Sequence, residues 1–135
     1  MKLSTKGRYA TRAMLDLAVH FGQGPIPIKD ISVRQQISAR YLEQLFIRLR
    51  KAGLVRSFRG LRGGFTLAKP PSEIPLSEII QVAEGSVAPV RCVDDPKLCR
   101  QSDVCITRSI WAEIGRATNK VLESITLQDL VLGHY

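Results

Sequence analysis

Cys92, Cys99 and Cys105 are the chain's three cysteines, and they fall within fourteen residues of one another. Thiolates ligate soft metal ions and act as redox nucleophiles. The pattern Cys-x6-Cys-x5-Cys is too wide for a zinc ribbon, which uses cysteines about two to four residues apart. A redox Cys-x-x-Cys pair is absent. An odd cysteine count without a secretion signal argues against a disulfide framework. Thiolates spread along a loop suit a polynuclear iron–sulfur cluster, whose ligands must reach separate irons. Such clusters normally take four ligands, so three thiolates leave one position open. An open or weak fourth position makes a cluster labile, which a sensor requires. Zinc, a reactive thiol and inert cysteines are the other readings. A reactive thiol needs a lowered pKa, which Arg91, Arg100 and Arg108 could supply.

The second kind of chemistry is electrostatic. Residues 1–69 carry fourteen Lys/Arg against three acids, Asp16, Asp30 and Glu43, a net of +11. Residues 70–135 carry six Lys/Arg against nine acids, a net of −3. One half is therefore suited to a polyanion and the other is not. Within the basic half, Arg40, Tyr41, Glu43, Gln44 and Arg48 fall on one predicted helix. Glutamate can accept from cytosine, glutamine can pair with adenine, and arginine can serve guanine or phosphate. Arg59 and Arg62 flank a glycine-rich tip, where they can reach the backbone or a narrow minor groove. Lys6, Arg8 and Arg12 would ground the chain on phosphates.

The elements that position these residues follow from periodicity. Ala10, Ala13, Met14, Leu17, Ala18 and Phe21 trace one apolar helical face, with Arg8, Arg12 and Asp16 opposite. Met14 belongs to the core, and His20 is a favourable charge near the helix end. Gly22 to Pro25 ends the helix. Ile26-Pro-Ile28 reads as extended, and a two-turn helix covers Lys29 to Gln36. Ser38 caps a helix over about Ala39 to Gly53, with Leu42, Leu45, Phe46 and Leu49 inward. Strands at about Leu54–Phe58 and Phe65–Ala68 flank Arg59-Gly-Leu-Arg-Gly-Gly64, a glycine-tipped hairpin. Three helices followed by such a hairpin make a winged helix-turn-helix.

Further along, a short helix spans Leu76 to Ala83, and residues 85–103 read as the cysteine loop, in which Asp94-Asp95 is a solvated pair. A long helix runs from Val104 to Leu122, where Ile110, Ile114, Ala117 and Val121 repeat like a heptad seam. That seam is the expected dimer element, with Trp111 packing beside it. Thr126 and Asp129 form a capping-box pattern ahead of a last helix, Leu127 to Leu132. The expected fold is mainly α with a small β-hairpin, a winged helix-turn-helix plus a long dimerisation helix. The expected units are a DNA-binding domain over residues 1–84, the cysteine loop over 85–103, and the dimerisation and C-terminal helices over 104–135.

Composition narrows the function classes. Hydrophobic residues make up 44% of the 135, enough for a globular core. No apolar run approaches the roughly 18–20 residues a spanning helix needs, and no signal peptide is evident, which makes the cytoplasm the expected compartment. No Ser/His/Asp grouping, phosphate loop or credible carboxylate pair is present, so no enzyme and no small-molecule substrate are expected. The eight aromatics form no stacking platform of the kind RNA-binding domains use.

Longer motifs add a resemblance. Lys6-Gly-Arg-Tyr-Ala10, Ala13-Met-Leu-Asp16, Asp30-Ile-Ser32, Tyr41-Leu-Glu-Gln-Leu-Phe46, Arg48-Leu-Arg-Lys51, Gly53-Leu-Val55, the wing Arg59-Gly60 with Gly63-Gly64, and Ile125-Thr-Leu127 stand in this order. With these, nearly the whole chain resembles the IscR/NsrR-type iron–sulfur cluster-binding winged-helix transcription regulators, and the IscR type more than the NsrR type. The resemblance implies a homodimer that binds double-stranded operator DNA and carries a cluster on Cys92, Cys99 and Cys105. It implies [2Fe–2S], with [4Fe–4S] or zinc as alternatives. It also implies that positions 43, 44 and 59 contact DNA, and that cluster state regulates iron–sulfur biogenesis or stress genes. A thiol- or zinc-responsive repressor on the same fold is the alternative.

The chain departs from the family pattern at four places, one of them the spacing between the first two cysteines, which is one residue longer than usual. Arg108 stands where a histidine supplies the fourth ligand, and a protonated guanidinium cannot ligate iron. Arg8 stands where the nitric-oxide sensors have an acidic ligand. Arg40 replaces a smaller polar residue. Asp103, Asp95, Ser109, His134, water or a small thiol are the candidates for the fourth ligand.

Overall fold

The structure, a computed structural model, describes residues 2–101 and 103–134. Helix α1 spans Thr5–Val19 and is capped by the Ser4 hydroxyl, which accepts from the Lys6 amide at 3.2 Å. Helices α2 (Ile28–Gln35) and α3 (Ala39–Lys51) follow. Strands β1 (Val55–Phe58) and β2 (Gly64–Leu67) then pair antiparallel, with Val55 opposite Leu67 and Phe58 opposite Gly64. Beyond a 3-10 turn at Pro71–Glu73 come α4 (Leu76–Glu84), α5 (Arg91–Asp94), a second 3-10 turn at Pro96–Leu98, α6 (Ile106–Ser124) and α7 (Leu127–Val131). This is the expected mainly α fold with a two-stranded wing.

The core follows the apolar periodicity. Ala10, Ala13, Met14 and Leu17 of α1 pack with Ile31 of α2 and with Leu42, Leu45, Phe46 and Leu49 of α3, all buried. Phe46 meets Phe65 of the wing with ring centroids 4.5 Å apart. Helix α3 ends in a Schellman motif. The Leu54 amide donates to Leu49 O and the Gly53 amide to Arg50 O, both at 3.0 Å, with Gly53 at φ +79°. That stop turns the chain directly into β1.

Several boundaries and assignments differ from the sequence reading. Helix α1 ends at Val19, so Phe21 lies beyond it and is half-exposed rather than completing the apolar stripe. Asp16, expected on the solvated face, is the one buried charged side chain among the described residues, 3% exposed. The position faces α2, where partners for a carboxylate are available. The extended Ile26 makes a two-bond bridge to Phe65, adding a short third edge to the wing. The cysteine loop is not irregular throughout, because α5 and the second 3-10 turn lie inside it. Helix α6 begins two residues later than expected, with Cys105 at its N-cap.

Helix α7 packs against α1 and the 3-10 turn at Pro71–Glu73. The α7 capping box forms as expected, but Leu127 is fully buried in the core. Backbone bonds tie this stretch to the winged-helix body, from Leu76 N to Ile125 O at 2.8 Å and from Leu127 N to Ile74 O at 3.0 Å. Among the described residues no helix is long and apolar enough to cross a membrane.

Candidate nucleic-acid interface and cysteine segment

Helix α3 turns a polar face outward because its apolar residues are spent on the core. Arg40, Glu43, Gln44 and Arg48 are all exposed on it. Tyr41 is not, being half-buried with its ring edge-on to Tyr9 at 5.4 Å. Beside α3, the wing turn is closed by the Gly63 amide donating to Gly60 O at 3.0 Å, and both Arg59 and Arg62 are exposed there. Arg50 donates to the Ser57 hydroxyl at 3.3 Å and so ties α3 to the wing. Spacing alone gave Arg50 no role, because its partner lies on a strand.

Lys6 and Arg8 are exposed on the first turns of α1. Arg12 is exposed as well but engaged: it donates to the Gln35 side chain at 3.3 Å and to the Gln35 carbonyl, and it lies 5.4 Å from the centre of the Tyr9 ring. Asp16 sits beneath this corner. Its carboxylate accepts from Arg34 at 2.7 and 3.0 Å and from Gln35 at 3.1 Å. Burial alone would raise the Asp16 pKa. The Arg34 and Gln35 hydrogen bonds, with the charges of Arg34 and His20, outweigh it and hold the carboxyl below its ordinary value. His20 also bonds the Asp16 carbonyl at 2.8 Å, at the C-cap of α1. This clamp joins the first two helices, and the sequence reading missed it.

The cysteines sit on different elements. Cys92 is in α5, Cys99 follows the second 3-10 turn, and Cys105 caps α6. None is in a disulfide. Cys99 is exposed and the other two are half-buried. The Cys105 sulfur lies 3.1 Å from the Thr107 hydroxyl. That hydrogen bond first, then the Arg108 amide and more weakly the Arg108 charge, hold the Cys105 thiol below its ordinary pKa. Arg108 donates through Nε to the Cys92 carbonyl at 3.0 Å. Arg108, at the position where the resemblance implies a fourth ligand, thus fastens the Cys92 segment to the helix capped by Cys105.

The donor set fits an iron–sulfur cluster in kind, with three thiols on one short segment and one of them shifted toward thiolate. It is not assembled, because among the described residues no three His, Cys, Asp or Glu side chains converge on a common point. Two candidates for the fourth ligand make local hydrogen bonds. Asp95 accepts from the Lys97 amide at 3.1 Å, and the Ser109 hydroxyl donates to Ile106 O at 2.7 Å.

Three packed helices, a polar third helix and an arginine-tipped hairpin define a winged helix-turn-helix regulator of transcription. The chain belongs to the Rrf2 family, described as an iron-dependent transcriptional regulator, which it matches over residues 3–133. It is 48% identical over 131 residues to the HTH-type transcriptional regulator IscR of Photorhabdus laumondii, covering 97% of this chain and 79% of that one. Among solved structures it is similar to T. potens IscR (TM-score 0.81, 43% identity, 100% of this chain and 89% of that one). It is also similar to CymR (YrzC), the global cysteine regulator of B. subtilis (TM-score 0.80, 41% identity, 97% and 96%). The chain is therefore a DNA-binding regulator rather than an enzyme.

Proposed function

We propose that this chain reads operator DNA as a homodimer, with α3 in the major groove and the wing beside it, under the control of an iron–sulfur cluster on Cys92, Cys99 and Cys105. The observation that carries the DNA reading is the joint exposure of Arg40, Glu43, Gln44 and Arg48 on α3 and of Arg59 and Arg62 on the wing. Tyr41 contributes by packing, and Lys6, Arg8 and Arg12 supply phosphate contacts at the start and middle of α1. The cluster is [2Fe–2S] by likeness to the IscR proteins. When bound it supplies a centre sensitive to iron supply, oxidants and nitric oxide, suited to control of iron–sulfur biogenesis or stress genes in the cytoplasm. Units 1–84, 85–103 and 104–135 divide these tasks into reading, sensing and dimerisation, with Cys105 contributed to the sensing site by the third unit and α7 docked back on the reading unit.

The dimer element is α6. Ile110, Ile114, Ala117 and Val121 are exposed along it, and Gly115 is its one buried residue among those described. The helix therefore spends little of its apolar face on its own subunit.

A second reading is a thiol-responsive repressor without a cluster. The unassembled donors, the Cys105 thiol held toward thiolate, Arg108 at the fourth-ligand position and the likeness to CymR favour it.

Anaerobic purification separates the two. A coloured protein with visible absorption, bound iron and bound sulfide, all lost in Cys92→Ala, Cys99→Ala and Cys105→Ala, supports the cluster. A colourless, iron-free protein whose DNA affinity responds to thiol oxidation supports the second reading. Absence of binding to any duplex at low salt, with or without iron, defeats both.

A further inference from the structure

Ile47 is the one large apolar side chain on the outer face of α3, and it is 47% exposed. It stands four residues after Glu43 and three after Gln44, so the three form one contiguous surface on the helix. Arg48 and Arg50 follow it in sequence, both exposed. A half-exposed isoleucine in the middle of a polar, basic face is not explained by the core, which Leu42, Leu45, Phe46 and Leu49 already fill. Its buried side continues into an apolar crevice of about 240 Å³ formed with Ile28, Phe46 and Phe65, with Glu43 and Arg50 at the edges.

Polar side chains read hydrogen-bonding edges of bases, whereas an aliphatic group in the major groove has one apolar feature to meet, the thymine 5-methyl. We propose that Ile47 is a specificity-determining residue that selects a thymine through van der Waals contact with that methyl. This rests on the reading that α3 enters the major groove. Position matters too. Four residues of helix advance about 6 Å, roughly two steps of a DNA strand at 3.4 Å. The selected thymine therefore lies within about two base pairs of the base read by Glu43. The preference is one that a serine or other small polar residue at position 47 would not impose.

The test changes the DNA before the protein. The full chain, prepared anaerobically, is used to select preferred sites from random duplexes. Each thymine of the selected site is then replaced singly by deoxyuridine, which removes the methyl and leaves base pairing intact. The expected result is one position, within about two base pairs of the one that shifts in Glu43→Ala, where deoxyuridine weakens binding about fourfold, the worth of one buried carbon. Ile47→Ser, with its melting temperature checked against wild type, should bind the thymine and deoxyuridine sites equally. Sequence-selective binding with no deoxyuridine-sensitive position overturns this inference and leaves the major-groove reading standing. Sensitivity that persists in Ile47→Ser overturns it as well. Failure of the wild type to select any sequence overturns both.

Discussion

At the scale of single residues, the buried carboxylate of Asp16 is the most consequential side chain outside the cysteine segment. It holds α1 against α2 through Arg34 and Gln35, and Arg12 reaches the same glutamine from above. Arg34 is 37% exposed, so solvent screens the pair and its loss costs less than that of a fully buried one. Asp16→Asn keeps the shape but removes the charge, and unfolding stability near neutral pH is expected to fall by about 1–3 kcal/mol. The pH dependence follows from the lowered carboxyl pKa. The stabilisation is full above the ordinary value of 3.8 and is lost as pH falls through the lower folded-state value. Denaturant titrations across that acid range should show a slope in wild type that Asp16→Asn reduces. Equal slopes would remove Asp16 from this role. The same geometry adds support of the helix corner to the phosphate contact proposed for Arg12, so its loss should not be read as a pure DNA effect.

At the scale of elements, the wing depends on a close backbone approach. Gly64 opens β2 at φ +148°, and a Cβ there would lie 2.4 Å from the Ile26 carbonyl carbon and oxygen. Those are backbone atoms of the Ile26–Phe65 bridge and cannot step aside as a flexible side chain would. Gly64→Ala is therefore expected to destabilise the wing by more than about 1 kcal/mol, the usual scale for a disallowed glycine replacement. Hydrogen exchange should localise the change to Ile26, Phe65 and their neighbours. Unaltered protection there would show that the bridge is not what demands glycine. Helix α3 is stopped by its own Schellman motif and joined to β1 through Arg50 and Ser57.

At the scale of the whole molecule, α6 is the element whose apolar surface is least satisfied within one chain. Ile106 is 84% exposed, Ile110 49%, Ile114 41% and Val121 52%. A surface of this kind along a 19-residue helix needs cover, and in the proposed homodimer a second copy in a heptad-like arrangement would supply it. Ile114→Lys would place a charge in that seam, and the dimer dissociation constant is expected to rise at least about tenfold. Light scattering over a concentration series reads this directly. A variant that stays dimeric at the wild-type concentration threshold would move the interface elsewhere. On the proposed function the basic half faces DNA and the acidic remainder holds the partner and the cysteines.

The sequence alone determined what depends on local periodicity and turn chemistry. Apolar residues at helical spacing placed α1, α3, α4 and α6. Ser38 and Thr126 marked helix starts, Gly53 marked a stop, and glycines between two β-prone runs marked the wing. The cysteines and the basic surface were legible for the same reason, since residue type and spacing carry that chemistry. Tertiary structure decided whatever needs a partner from a distant element. Asp16 is spaced like a solvated residue, and only the approach of Arg34 makes its burial affordable. Arg108 resembles a missing ligand until its bond to the Cys92 carbonyl shows it bracing the segment. Ile47 falls outside the apolar stripe of Leu42, Leu45, Phe46 and Leu49, and the packing of α3 leaves it 47% exposed beside Ile28 and Phe65. Burial and pairing are properties of juxtaposed surfaces, and those surfaces exist once the chain has folded.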